Sequence, residues 1–377
     1  MNHVGRHPGF SDIITPYIQN IATLEFFELR TPQDLIQTVP NFPRSTPNLR
    51  SLEISLCDDA PNWDPAIDPF GSFPSTLRHL FLDDIPLYPT VLRVRTLTKI
   101  TFQNFEFSFP LDPLLTLLEE NPLLEHAVLW IEFTGPALRV SQRRVPVRNK
   151  LRHLGVTSTD VENIKALVSS IPLQRGANLE IVAFNWSAEL KGILSGIPAT
   201  HLANLRSPTH MYTCEGDIKL SGPNGSFSFS GLSPSEAFRV GSSLPSFKDI
   251  QELRFGYPGQ RRSIPRVFDP SPFPALETLA LEHDSNVSNT LSLLFSSPKS
   301  SPSLKTLAFL HCNLTGDFME ELVRFASNRK NTTSAWLYRV FIAHSGEFPG
   351  IDPIRALGKY VPVVDVRFAT KLPTDLT

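Results

Sequence analysis

The sequence predicts an α/β leucine-rich-repeat solenoid, with a curved parallel β-sheet on the concave side and helices on the convex side. Three observations predict it: an apolar template, the even spacing of its recurrences, and helix punctuation between them. In LKTLAFLHCNLTGDFMEELVRFASN, residues 304–328, Leu304, Leu307, Phe309, Cys312 and Leu314 stand at offsets zero, three, five, eight and ten. That is the spacing of a leucine-rich-repeat strand, with cysteine at the Asn/Cys position. Phe318, Leu322, Phe325 and Ala326 then recur at three- and four-residue steps, so the spacing predicts a helix beginning at Gly316 and Asp317. One strand and one helix cannot bury their apolar sides alone, so neighbouring repeats are required.

Those neighbours are found at Ile21, Leu49, Leu77, Leu97, Leu124, Leu151, Leu179, Leu202, Ile250, Leu276, Leu337 and Val361, each followed by further apolar residues near offsets three and five. Ile21 to Leu49, Leu49 to Leu77, Leu151 to Leu179 and Leu276 to Leu304 are each 28 residues apart, and Leu124 to Leu151 is 27. An apolar chain meets a three-point template often by chance; the even spacing is what carries weight. Between strands, Thr31-Pro32, Asp112-Pro113, Ser233-Pro234 and Asp352-Pro353 each read as an N-cap followed by proline at the first helical position. Prolines such as Pro122, Pro172 and Pro362 then close the helices before the next strand. The period is broken between Leu202 and Ile250, where IKLSGPNGSFSFSG alternates apolar and polar residues around Pro223-Asn224-Gly225 and predicts an inserted β-hairpin. The expected organisation is an N-terminal tail or cap over 1–20, repeats over 21–205, an insertion with hairpin and helix over 206–249, and repeats with a C-terminal cap over 250–377.

Composition narrows the function. Lys plus Arg total 35 against 37 Asp plus Glu, so no global charge points to nucleic acid or to an anionic membrane. Cys57, Cys214 and Cys312 are too few and too scattered for a disulfide framework or zinc site, and the first twenty residues lack a signal peptide's apolar core. An intracellular protein without cofactor or metal is the expectation, and the Asn-x-Ser/Thr sequons count for little there. No phosphate loop, His-Glu-x-x-His, Gly-x-Ser-x-Gly or dinucleotide fingerprint occurs, so nothing makes a positive case for an enzyme.

NPLLEHAVL at 121–129, LRHLGVTS at 151–158, IKLSGPNGSFSF at 218–229 and FPALETLALEH at 273–283 resemble the repeat portion of fungal F-box-like proteins of mushroom-forming species. The resemblance implies the substrate-binding part of a ubiquitin-ligase receptor. Members carry an N-terminal F-box with a Leu-Pro-x-Glu signature that docks on a cullin-ligase adaptor. That signature is absent before Ile21, so the adaptor is expected as a partner only where an F-box lies upstream.

With offsets three and five facing the core, offsets two, four and six project onto the concave face. They place His79, Lys99, His126 and His153 in one row, with Phe81, Asp83 and Trp130 beside them, as the expected protein-binding surface. His126 and His153 come within reach of a shared metal or phosphate, although no carboxylate or cysteine completes a ligand set and solvated surface histidines are the plainer reading. Phe27, Phe81 and Trp130 suit a binding hot spot unless a loop such as 63–73 covers them. Arg139, Arg143, Arg144 and Arg148 form a basic loop fit for an acidic partner or simply for solvent. Cys57 and Cys312 are expected to be turn residues and not reactive thiols. Two other functions stay open: a regulator resembling repeat-built GTPase-activating proteins, through loop residues such as Asn104 and Arg139, and a secreted recognition domain.

Overall fold

A large aliphatic residue at each repeat start must be driven beneath the strand that follows it, and a tight turn does this. The computed structural model describes residues 15–29, 46–56, 72–85, 90–104, 111–131, 150–183, 207–214, 217–230, 247–256, 267–297, 301–332, 336–344 and 351–368. In it Leu49, Leu77, Leu124, Leu276 and Leu304 are fully buried, and their N–H groups donate to the carbonyls of Thr46, Pro74, Asn121, Phe273 and Ser301, three residues back. The next residue then sets the register. The carbonyls of Ala22, Arg50, Arg78, Thr98 and Glu125 each accept two N–H groups from the following repeat, so every strand enters the sheet at the same point.

The chain forms two compact units, residues 1–185 with 192–204 and residues 186–191 with 205–377. In the first, seven strands pair in parallel and in sequence order: β1 (Thr23–Leu29), β2 (Ser51–Leu56), β3 (His79–Asp83), β4 (Lys99–Asn104), β5 (His126–Ile131), β6 (His153–Ser158) and β7 (Asn178–Ala183). Helices α1 (Leu111–Glu120) and α2 (Val161–Ser170) lie in the connections. Parallel strands need a crossover, and the buried Leu114, Leu115, Leu117 and Leu118 of α1 supply its apolar face.

In the second unit the hairpin lies where the sequence placed it. Strands β9 (Asp217–Gly222) and β10 (Gly225–Ser230) pair antiparallel with Gly222 opposite Gly225, leaving Pro223-Asn224 as the two-residue turn. Gly225 has φ +118°, a conformation that a side chain would strain. Strand β8 (His210–Cys214) pairs antiparallel with β9 and parallel with β11 (Glu252–Gly256). The ladder continues in parallel through β12 (Thr278–Glu282), β13 (Thr306–Leu310), β14 (Arg339–His344) and β15 (Val363–Phe368). Helices α3 (Val287–Thr290), α4 (Ser292–Ser296), α5 (Gly316–Thr332) and α6 (Ile351–Leu357) fill its connections. Phe318 of α5 meets Phe309 of β13 edge-on at 5.2 Å and stacks with Phe295 of α4 at 5.8 Å, so the helices cover the offset-five face. One strand per repeat, joined in parallel with helical crossovers, is the leucine-rich-repeat solenoid arrangement.

Several expectations need correction. Leu179 is not a repeat start: it pairs with Leu154, the offset-three residue, and Ala177 makes the turn by donating to Gln174. Leu202 lies outside the described residues, but the strand of that repeat is β8, whose Thr209 carbonyl accepts from Gln251 and Glu252, making Pro208 the start. A start occupied by Ala or Pro does not meet a template written for Leu and Ile. Helix α1 begins at Leu111 and α6 at Ile351, one residue before the expected caps Asp112 and Asp352. Pro113 and Pro353 still cost no hydrogen bond, since the first four helical N–H groups have no partner within the helix. The pairs Thr31-Pro32 and Ser233-Pro234 fall outside the described residues. Ala308 and Leu310, expected to project from the sheet, are 1% exposed and cluster with Ala280, Phe341 and Ala343.

Candidate functional site

The first unit aligns its projecting residues in three rows. The offset-two row reads Ser51, His79, Lys99, His126, His153 and Asn178, each opposite the next in register across β2 to β7. The offset-four row reads Glu25, Glu53, Phe81, Thr101, Val128, Gly155 and Glu180. The offset-six row reads Ser55, Asp83, Gln103, Trp130, Thr157 and Val182. All seven expected face residues, His79, Phe81, Asp83, Lys99, His126, Trp130 and His153, thus stand on one face of adjacent strands.

Their surroundings differ. His79, Lys99 and His126 are exposed, while His153, Phe81, Asp83 and Trp130 are half-buried. Phe27 is 59% exposed. Thr101 and Thr157 are buried, because short side chains sink between larger neighbours such as Phe81 and Val128. At Gly155 a Cβ would meet Val128 at 3.5 Å and His153 Nε2 at 3.6 Å, ordinary contacts, so glycine leaves a shallow notch in the offset-four row.

Charge is arranged unevenly. The His126 and His153 rings lie 6.0 Å apart, tilted by 34°. His153 Nε2 is 3.8 Å from Glu180 Oε2. Burial lowers the His153 pKa below its ordinary value; Glu180 opposes this and His126 adds to it. At the other end burial raises the Glu53 carboxyl, the like charge of Glu25 adds to the rise, and Lys99 opposes it. Asp83 accepts from the Ser55 hydroxyl at 2.9 Å. Among the described residues the side chains of His79, Lys99 and His126 make no hydrogen bond or ion pair, and no group of three His, Cys, Asp or Glu is placed to hold a metal.

In the second unit the described face arginines are paired. Arg254 lies 5.2 Å from the Tyr212 ring centroid and pairs with Glu282 at 2.7 Å. Arg339 and Arg367 both stack on the fully buried Phe341 at 5.7 Å and both pair with Asp365, at 3.3 Å and 2.8 Å. The Arg367 hydrogen bonds hold the Asp365 carboxyl below its usual range; burial opposes this and Arg339 adds to it. His283 and His311, both in the left-handed conformation as the chain leaves β12 and β13, stack at 5.0 Å.

No family model matches the chain, and no curated protein matches it. Among solved structures it is similar to the one titled "Crystal structure of TLR13-ssRNA13 complex", at 16% identity and a TM-score of 0.36, over 91% of this chain and 42% of that one. The chain therefore spans less than half the length of that relative. At this distance the likeness bears on neither ligand nor partner.

Of the remaining expectations, Arg139, Arg143, Arg144, Arg148 and Cys57 lie outside the described residues, as does most of the 63–73 loop. Glu25 and Glu180 were missed as members of the site. Offset four counted from Ile21 points to Glu25, but Glu180 becomes legible only when Leu179 is read as the offset-three residue and not as a start. Cys312 is the expected turn residue: its thiol donates to the carbonyls of Leu281 at 3.3 Å and Leu310 at 3.5 Å, and burial pushes its pKa up to about 12. At pH 8 only about one such thiol in ten thousand is ionised. Iodoacetamide at that pH is expected to leave Cys312 unmodified in the folded protein and to label it after denaturation, read by peptide mass spectrometry. Labelling of the folded protein at the rate of a free thiol would refute the structural role.

Proposed function

We propose that the protein is a recognition module that binds another protein on the projecting face of β2 to β6, as the substrate-binding part of an intracellular F-box-like ubiquitin-ligase receptor. The observation that supports this is the set of three in-register rows, which presents Phe81 and Trp130 among exposed polar and charged residues, of which His79, Lys99 and His126 make no hydrogen bond or ion pair among the described residues. Half-buried aromatics on a rigid sheet make good anchors, because little side-chain freedom is left to lose on binding. Cys214 and Cys312 form no disulfide among the described residues, in keeping with a reducing compartment. No observation favours the GTPase-activating alternative: Asn104 closes β4 and Arg139 is outside the described residues. Among the described residues no helix is long and apolar enough to cross a membrane.

Proximity labelling from the native protein would identify the partner. With that partner in hand, Phe81→Ala is expected to weaken binding by about 30-fold or more, the size of a hot-spot truncation. Undiminished affinity in both Phe81→Ala and Trp130→Ala would show that this face is not the contact. The ligase role is tested separately by whether the full-length gene product recovers a cullin-ligase adaptor.

A further inference from the structure

The row from His79 to His153 sets one lysine and three histidines side by side, with Glu53, Asp83 and Glu180 at its margins. Adjacent strands stand about 4.8 Å apart, so the four bases span about 14 Å. Three of the four make no side-chain hydrogen bond or ion pair among the described residues, although Lys99 acts electrostatically on Glu53, and His153 has Glu180 at 3.8 Å. The described face arginines of the second unit, Arg254, Arg339 and Arg367, are paired with Glu282 or Asp365. Lys99 thus presents positive charge to a ligand, and each histidine of the row adds to it once protonated.

We infer that this row seats a short acidic segment of the partner protein, extended across β3 to β6, with acidic side chains on the bases and alternate apolar side chains over Phe81, Val128 and the Gly155 notch. The inference rests on the recognition reading above and names the chemistry of the partner. An extended chain advances about 3.4 Å per residue, so 14 Å takes four to five residues, and every second side chain points the same way, about 7 Å apart. Two or three carboxylates then fall between successive bases, while the residues between them meet the uncharged offset-four row.

The same frame argues against a polyanion. Glu53 flanks the row at one end and Glu180 at the other, and Asp83 stands in the third row, so a nucleic-acid backbone running past either end would meet like charge. The whole chain, at net −2, offers no long-range attraction to compensate.

Affinity should also follow pH. Histidines charge as pH falls through the range from about 8 to 5, while a ligand's glutamates stay ionised above about pH 5. The groups facing the imidazoles are Glu180 on β7, Lys99 between His79 and His126, Glu53 on β2 and Asp83 on β3. Burial disfavours the charged form of His153 most, Glu180 favours it and His126 disfavours it, and Lys99 places a like charge in the same row. A bound carboxylate between the bases relieves that repulsion. Binding therefore tightens from pH 8 to pH 6 and weakens again as the ligand's own carboxyls protonate.

The test uses the full chain and a fluorescein-labelled Glu-Val-Glu-Val-Glu peptide, read by anisotropy beside Gln-Val-Gln-Val-Gln and a six-nucleotide oligouridylate. The acidic peptide is expected to bind at least fivefold tighter at pH 6 than at pH 8 and at least tenfold tighter than the glutamine peptide at pH 6. Lys99→Glu should weaken it at least tenfold. The double variant His126→Gln, His153→Gln should flatten the pH dependence, and Lys305→Glu, in the second unit, should change nothing. Unchanged circular dichroism and melting temperature keep the comparison clean, since His79, Lys99 and His126 are surface groups. Equal binding of acidic and glutamine peptides, or indifference to Lys99→Glu, overturns the inference; oligouridylate binding as tightly and equally lost in Lys99→Glu replaces it with a nucleic-acid site. If Phe81→Ala abolishes binding of the identified partner while Lys99→Glu leaves peptide binding untouched, the recognition reading stands and the acidic segment falls.

Discussion

Replacing Arg329 by methionine is expected to destabilise the second unit by about 3 kcal/mol. Arg329 is fully buried near the end of α5, with its Nη1 donating to the Ser301 carbonyl and Nη2 to the Leu304 carbonyl, both at 2.9 Å, and its guanidinium 5.6 Å from the Phe325 ring centroid. It thus ties the last turns of the helix to the turn that drives Leu304 under β13. Methionine of similar bulk would fill the space and remove the cost of burying a cation, a real gain. Against that, two carbonyls lose a charge-assisted partner at about 1–3 kcal/mol each, and the aromatic contact adds about 1 kcal/mol more. The losses outweigh the gain. Arg329→Lys should recover little, because a single ammonium lacks the planar fork that serves both carbonyls. Urea denaturation followed by circular dichroism measures the change; a methionine variant within about 0.5 kcal/mol of wild type would show that the turn holds without the arginine.

Asn121→Ala is expected to cost the first unit a comparable amount, about 3 kcal/mol, for a related reason. The repeat from Leu77 to Leu97 is short, and Leu97 does not close its turn by donating three residues back as Leu77 does. Instead the Asn121 carboxamide enters the turn: Oδ1 accepts from Leu97 N–H at 2.9 Å, and Nδ2 donates to the carbonyls of Val94 and Leu117, each at 2.8 Å. The Asn121 carbonyl in turn accepts from Leu124, so one buried residue serves two successive turns. Alanine orphans the buried Leu97 N–H and leaves the Val94 carbonyl with the Arg95 guanidinium, at 3.1 Å, in place of two donors. Asn121→Asp discriminates this account from simple packing. It keeps the acceptor for Leu97 but sets a carboxylate against two carbonyls, which raises its folded-state pKa above the unfolded value. Its stability relative to wild type should therefore be best at acid pH, below the unfolded pKa, and fall as pH rises through the folded one. Equal destabilisation of the Asp variant at pH 4 and pH 7 would contradict the hydrogen-bond assignment.

These two residues show where sequence reading stops. The helix-facing side of the Leu304 unit was legible, because Leu304, Leu307 and Phe309 bury on one side of the strand and Phe318, Leu322 and Phe325 on one side of the helix, and period alone reveals both. Arg329 continues that helical face at four residues after Phe325, yet its charge made it look like surface. The offset-two row of the candidate site was likewise readable, since it needs only counting from Leu77, Leu97, Leu124 and Leu151.

What the amino-acid order determined by itself was therefore the repeat, its period, the inserted hairpin at Pro223-Asn224, and the residues presented by regular strands. All of these follow from apolar periodicity and local turn chemistry, which act within a few residues. The tertiary structure alone decided the register around Ala177 and Pro208, the place of Glu180 at the end of the row, and the burial of Arg329, Asn121, Ala308 and Leu310. Each depends on backbone hydrogen bonds or packing between residues roughly one repeat apart, and no local pattern records which carbonyl a distant N–H will find.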